Sequence, residues 1–496
     1  MHGESDKVTP SYGMYIGGEW ITSSTGELRP SVNPYTEAIW ALVPEGSASD
    51  ARAAVDAAQS AFESTWRKVS GNYRANLMFK LAGLLERDAD RIAEIETTDN
   101  GKVIRETQAQ MRFAARNYRF HAGFADKLTG ETKQVDNPNL FDYTTREPIG
   151  VAALITAWNS PMGLLGNKLA PALAAGNCVV IKPSEYTSVS TLEFARLVEE
   201  AGFPPGVVNV ITGAGEAGSA LTADPRLGRI SFTGSVATGI QVAISGAKNV
   251  VPVTLELGGK SANIIFDDAD VRSAINGAVA GIFAAAGQTC IAGSRLLVHA
   301  SHYEQVVEAM VARANEVVLG DPLNPATEMG PVAHRGQWEA ILHHIERARN
   351  DGAEIVAGGH SAEVGHGLFV QPTVIARARN DMEIAQEEVF GPVVVVIPFE
   401  SEDEAIAIAN DSPFGLAAGV WTQNLARAHR VAAQLQVGQV WINTYRVQAA
   451  QAPFGGTKRS GYGRERGIEA IDEYLRIKNT MIDLSDEQRD PFAIKT

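Results

Sequence analysis

Val151-Ala152-Ala153-Leu154-Ile155-Thr156 and Cys178-Val179-Val180-Ile181-Lys182 are the stretches whose reading decides the fold. Each is a short apolar run of the kind that fills a strand covered on both faces, and each leads through turn residues into a segment with helical spacing. The rhythm repeats along the chain. Strand patterns at 151–156, 178–182, 207–212, 229–232 and 253–257 alternate with helix patterns at 164–175, 188–201, 215–223 and 238–245. Such alternation implies a parallel sheet with helices on both faces, an architecture that binds nucleotides at the carboxyl ends of its strands. A second alternating region follows at 262–266, 267–284, 295–299, 302–319 and 336–350, then 393–398, 402–410 and 439–443. The expected class is therefore α/β throughout, with a Rossmann-like sheet first and a second α/β unit after it.

Before this core, Tyr15-Ile16-Gly17-Gly18-Glu19-Trp20 reads as a hairpin whose glycines supply the positive φ of the reversal. Helical patterns follow at 51–64, with Asp50 as the expected cap, and at 73–87 and 103–127. Residues 130–145 turn polar with scattered β-formers, the pattern of an extended arm. The chain of 496 residues is longer than one core supports, and 45% hydrophobic with 20% charged residues is ordinary for a folded protein. With 43 basic against 58 acidic residues the formal charge is −15, which disfavours nucleic acid as a partner. Two cysteines exclude a disulfide framework, and no Cys/His cluster has metal-ligand spacing, so no metal and a reducing compartment are expected. Residues 1–11 lack the apolar core of a secretory signal, and no apolar run reaches the roughly 18 residues of a membrane span. A cytoplasmic protein with no membrane partner is the expectation.

Gly287-Gln288-Thr289-Cys290-Ile291-Ala292-Gly293-Ser294-Arg295 presents one of the cysteines between glycines. A thiol on a turn that opens a helix would sit at the positive end of a dipole and favour thiolate, so Cys290 is a candidate nucleophile; a small buried hydrophobe is the plain alternative. Upstream, Glu256 stands between Leu255 and Leu257, where an apolar setting would raise its pKa toward that of a usable base. Asn159, in Trp158-Asn159-Ser160-Pro161 at a strand end, offers an amide to an oxyanion or is simply a turn residue. Lys182-Pro183-Ser184-Glu185 ends the next strand, where a Lys and a Glu can grip ribose hydroxyls or form a solvated pair. Phe232-Thr233-Gly234-Ser235 opens a helix suited to a pyrophosphate, though its glycines are not the dinucleotide fingerprint. Cys178, inside an apolar strand, reads as core.

In order and in neighbouring residues these motifs resemble those of the NAD(P)-dependent aldehyde dehydrogenases of the hydrolytic, acid-forming type. The resemblance runs from the 15–20 hairpin through Glu256-Leu257-Gly258-Gly259-Lys260, Gly287-Gln288-Thr289-Cys290, Glu388-Val389-Phe390-Gly391-Pro392 and Pro453-Phe454-Gly455-Gly456 to Ser460-Gly461-Tyr462-Gly463-Arg464-Glu465. It implies an NAD-binding domain from 1–129 and 148–258, a catalytic domain at 259–459, and an oligomerisation arm with C-terminal tail from 130–147 and 470–496. By resemblance Cys290 attacks the aldehyde, Asn159 holds the oxyanion and Glu256 activates the water that releases the acid. Trp158, Lys182, Ser184, Glu185, Gly215, Ser235, Leu257, Glu388 and Phe390 are the implied cofactor contacts. Glu185 would repel a 2′-phosphate, so NAD is expected over NADP. A homodimer or homotetramer is implied as well.

The places that line the substrate tunnel in relatives acting on small apolar aldehydes hold Ser160, Asn167, Ala284 and Gln448 here, with Arg446 close by. Fewer rings would make a wider, wetter tunnel for a bulky or polar aldehyde, and Arg446 either pairs with a distal carboxylate, as in a semialdehyde, or faces solvent. A CoA-acylating semialdehyde dehydrogenase is the alternative, and the presence of Glu256 in its hydrolytic context argues against it.

Overall fold

The computed structural model describes residues 9–486 and Phe492; residues 1–8 and the rest of the expected C-terminal tail, 487–491 and 493–496, lie outside the described residues. The apolar runs form the centre of an eight-stranded sheet. Five strands are parallel, in the spatial order Val208–Val210, Cys178–Lys182, Val151–Ile155, Leu227–Thr233, Val253–Glu256. The chain steps outward in one direction from Val151–Ile155, then returns to its other side, so the strand order reverses between Val151–Ile155 and Leu227–Thr233. A crevice opens at the carboxyl ends of strands at such a reversal. The hairpin of Met14–Ile16 and Glu19–Ile21 extends one edge, with Gly17 and Gly18 at φ 64° and 88°, and Gly461–Tyr462 closes the other beside Glu256.

The second sheet has seven strands, all parallel except the edge strand Glu354–Ala357. One of its inner strands, Val393–Phe399, alternates strictly. Val393, Val395 and Ile397 enter the core on one face, Val394 and Val396 the core on the other, which is why the run is continuously apolar. Residues 132–133, 140–148 and 475–483 form a separate three-stranded antiparallel sheet, where the polar stretch had indicated an extended arm.

Local chemistry moved several boundaries. The first helix is Ala48–Ser64, capped by Ser47 rather than by Asp50; Asp50 is its third residue and accepts from the Ser47 N–H, completing a reciprocal capping box. The helix expected at 267–284 is Val271–Ile282, because the Asp270 side chain accepts from the Ser273 N–H and starts it late. The helix after Ser160 starts at once, at Pro161, since a missing N–H costs nothing in a first turn. This helix, Pro161–Ala175, delivers Lys168 to the interior, where its fully buried ammonium pairs with Glu465 and lies 3.1 Å from the Ser231 hydroxyl.

Removing one partner of a buried pair leaves an uncompensated charge, so Lys168→Ala is expected to cost about 3–5 kcal/mol of unfolding free energy. Urea unfolding followed by fluorescence measures it. A loss below about 1 kcal/mol, the worth of a surface pair, would show that the pair does not brace the fold.

Candidate functional site

Cys290 stands where two backbone constraints meet. After Ile282 the chain turns sharply, with Ala285 and Ala286 in the left-handed region at φ 53° and 52° and Gly287 at φ 69°. A Cβ on Gly287 would lie 2.0 Å from the Gly391 carbonyl oxygen, so only glycine lets this turn rest on the segment after Phe390. Beyond Cys290 the chain runs through a turn to the strand Arg295–His299. No helix begins there. The expected dipole at the thiol is therefore absent, and the thiol is not poised as thiolate: Cys290 is half-buried, and desolvation, then Glu388 and Glu256, push its pKa up to about 12 against the pull of Arg466. Cys178 is core, as expected, its thiol pushed up by burial alone.

Asn159 reaches the same loop. Its Nδ2 donates to the Gln288 carbonyl at 2.9 Å, and the Gln288 Oε1 accepts from the Ala333 N–H at 2.9 Å, so amide and cysteine loop are tied together. Glu256 ends its strand with both carboxylate oxygens buried and without a hydrogen-bond partner. Its pKa is raised well above the ordinary value, by desolvation first and by Glu465 second, with Lys168, Arg464 and Arg466 opposing. The direction is the one its flanking leucines indicated, but the second cause is a carboxylate more than 200 positions away in the sequence. A Cβ on Gly455 would lie 2.8 Å from Glu256 Oε1, and one on Gly259 would lie 2.4 Å from the Cys290 carbonyl. The Gly-Gly stretches thus let backbone close around acid and thiol.

At the strand-order reversal lies a cleft of about 610 Å³ lined by Trp158, Lys182, Ser184, Glu185, Gly215 and Ser235, six of the residues expected to hold a cofactor. Thr156 and Thr233 also line it, and the Oγ1 of each is buried without a partner. Gly215 faces open space, and Ser235 caps the helix Val236–Asn249, accepting from the Thr238 N–H. Lys182 is buried and donates to the Pro183 carbonyl, and Ser184 donates to Glu185. Leu257, by contrast, packs against Gly239 of that helix. Glu388 lies over Gly258, accepts from the Gly259 N–H at 2.9 Å and is raised to about 7 by burial. Phe390, at φ 54°, sets its ring edge-on to Trp158 with centroids 5.2 Å apart.

Three of the five tunnel candidates are engaged in hydrogen bonds. Ser160 accepts from the buried Lys102 ammonium, Asn167 accepts from Asn117, and Arg446 donates to the Ala280 carbonyl. Ala284 is half-buried at the turn before Cys290, and Gln448 is exposed. Several site residues were not legible in the sequence. Lys102 donates to the Asn159 carbonyl at 2.5 Å, Glu106 accepts from the Ala285 N–H in the cysteine turn, and Arg466 lies between the rings of Phe113 and Phe454. Each comes from a charged residue on a helix or loop whose spacing carries no mark of burial.

A doubly wound sheet with a nucleotide-sized cleft at its reversal, joined to a second α/β unit that supplies a cysteine on a tight turn, defines the class as two-unit α/β proteins of the nucleotide-linked kind. The chain belongs to the aldehyde dehydrogenase family, whose model matches residues 20–480. It is 45% identical over 486 residues to (Z)-2-((N-methylformamido)methylene)-5-hydroxybutyrolactone dehydrogenase of Acinetobacter baylyi, covering 97% of this chain and 99% of that one. It is 41% identical over 471 residues to betaine aldehyde dehydrogenase of Bacillus subtilis, covering 94% and 96%. Among solved structures, an NAD+ complex of aldehyde dehydrogenase from Bacillus cereus superposes with a TM-score of 0.94 at 45% identity, over 96% of this chain and 97% of that one. Betaine aldehyde dehydrogenase from Staphylococcus aureus in complex with NAD+ gives 0.96 at 40% identity, over 98% and 97%.

The buried thiol makes a direct prediction for the ligand-free protein. Alkylation of Cys290 by iodoacetamide should climb with pH through 10 without a plateau, and Glu388→Gln, which removes a charge opposing the thiolate, should speed it about fivefold at pH 8. A plateau below pH 8 would contradict this account.

Proposed function

We propose that this chain oxidises an aldehyde to a carboxylic acid with NAD, with Cys290 as nucleophile, Asn159 as oxyanion donor and Glu256 as base. What supports the reading is an amide tethered to the cysteine loop together with a buried, unpartnered carboxylate whose charge acts on the thiol.

The cleft fits the cofactor: two orphaned threonine hydroxyls, an open face at Gly215 and the capped helix start at Ser235 supply donors, room and a positive helix end. Lys182 and Glu185 would hold the adenosine ribose, and Glu185, a hydroxyl acceptor that repels a 2′-phosphate, selects NAD over NADP. Trp158, Ser184 and Leu257 belong to the same cofactor-holding group, with Glu388 and Phe390 at its other end. When bound, the nicotinamide supplies the hydride acceptor that aldehyde oxidation needs.

The Cys290 sulfur adds to the aldehyde carbon, and the oxygen that gains charge is held by the Asn159 amide and the Cys290 N–H. Losing one such donor costs about 3 kcal/mol of barrier. The Asn159 amide is free to turn from the Gln288 carbonyl to this oxygen by rotation of its side chain. Because the resting thiol is high in pKa, its proton leaves as the bond forms and passes to bulk water. After hydride loss a thioester remains on Cys290. Glu256 then takes a proton from water, the water oxygen attacks the acyl carbon, and the acid leaves. A base already in place for water favours hydrolysis over transfer to CoA.

The substrate is read as a bulky or polar aldehyde. The chain is divided as 1–129 with 148–258 for NAD, 259–459 for catalysis, and 130–147 with 470–496 for assembly. The arm sheet, with Phe141, Ile477 and Met481 exposed on it, would join copies into a homodimer or homotetramer. No helix among the described residues is long and apolar enough to cross a membrane, and we place the protein in the cytoplasm.

Glu256→Gln separates the two halves of the reaction. It should give a burst of at most one NADH per site and then stall, while Cys290→Ala gives none; steady turnover in Glu256→Gln sinks its role as base. Glu185→Ser should raise kcat/KM with NADP relative to NAD by about tenfold, a shift of roughly 1.4 kcal/mol, and an unchanged ratio removes Glu185 as the selector.

A further inference from the structure

Arg466 is 3% exposed, and its Nε is buried with no hydrogen-bond partner. Two other enclosed guanidiniums, the buried Arg295 and the half-buried Arg74, donate from all three nitrogens. Arg295 donates to the carbonyls of Lys260, Ile408 and Ala409 and to Asn380, and Arg74 donates to the carbonyls of Val69, Ala125 and Ala174. What holds Arg466 is instead a pair of aromatic faces, Phe454 at 4.5 Å and Phe113 at 5.5 Å from the guanidinium carbon. The acid next to it in sequence, Glu465, is taken by Lys168. Among the described residues no carboxylate forms an ion pair with Arg466, and Glu465 and Glu256 act on its charge only at a distance. Its backbone is left-handed at φ 57°, a conformation that costs a side-chain-bearing residue energy and is retained where a site needs it. The guanidinium lies close enough to Cys290 for their charges to act on each other, and Phe454 belongs to the loop whose Gly455 abuts the Glu256 carboxylate.

We propose that Arg466 is the anion receptor of the aldehyde pocket, so that the preferred substrates carry a carboxylate a few bonds from the aldehyde carbon. The inference rests on the aldehyde-oxidising reading above and assigns its substrate class. Rings on its faces leave the N–H edge of the guanidinium free, and that edge matches the two oxygens of a carboxylate. Docking an anion supplies a directly paired counter-ion and anchors the far end of the molecule while the aldehyde meets the sulfur. Arg446, the cation that the sequence suggested for this task, is already bonded to the Ala280 carbonyl. A cationic aldehyde such as betaine aldehyde would meet a buried like charge and be rejected.

The test compares kcat/KM for succinate semialdehyde and glutarate semialdehyde with their methyl esters, butanal and betaine aldehyde. The better semialdehyde should exceed its ester by about 100-fold, Arg466→Leu should erase that ratio, and Arg466→Lys, which keeps the charge but not the fork, should fall between. Independently, succinate or glutarate should slow Cys290 alkylation and raise Tm in the native protein but not in Arg466→Leu. Ester and acid within threefold of each other, or a ratio that survives Arg466→Leu, would overturn the assignment. If no aldehyde is oxidised, the catalytic reading fails while dicarboxylate protection still decides the role of Arg466.

Discussion

The buried ion pair between Lys168 and Glu465 is the constraint on which the site depends. Two charges removed from water are tolerable only together, so the segment after Phe454 must lie over the carboxyl end of the first sheet, where the helix Pro161–Ala175 presents Lys168. Phe454 and Glu465 bond reciprocally through their backbones at 2.7 Å, which closes that segment into a clasp. Gly455 then meets Glu256, and Arg466 is drawn in beside the cysteine. A single electrostatic requirement thus brings a cation and an aromatic wall from one short C-terminal stretch up to the Glu256 carboxylate.

Desolvation sets the chemistry of what is gathered. Burial raises Cys290 and Glu256 together, the opposite of a resting thiolate facing an ionised base. Glu388, raised to about 7 and lying against Gly258 and Gly259, adds to this restraint on the thiol. Glycines at 259, 287 and 455 are needed because backbone crosses closely at the sulfur loop and its acid, and Gly258 leaves room for the Glu388 carboxyl.

Lys102 shows how the periphery supports this centre. Its ammonium bonds the Asn159 carbonyl and the Ser160 hydroxyl, fixing the corner that carries the Asn159 amide, while Glu106 from the same helical region holds the Ala285 N–H in the cysteine turn. An N-terminal helical region that the sequence presents as surface therefore braces both the amide and the thiol loop.

Sequence by itself determined the repeating strand-and-helix order and the α/β class, and it offered Cys290, Glu256, Asn159 and the cleft residues as candidates, because apolar periodicity and short motifs are local properties. The direction of the Glu256 shift was legible too, from leucines on either side. Only the tertiary structure decided that Cys290 follows a helix rather than opening one, that Ser47 rather than Asp50 caps the first helix, and that Arg446 is spent on a carbonyl while Arg466 is buried and unanswered. Burial and charge pairing are relations between residues far apart along the chain, and one strand of letters holds no measure of which charged side chain the fold will remove from water.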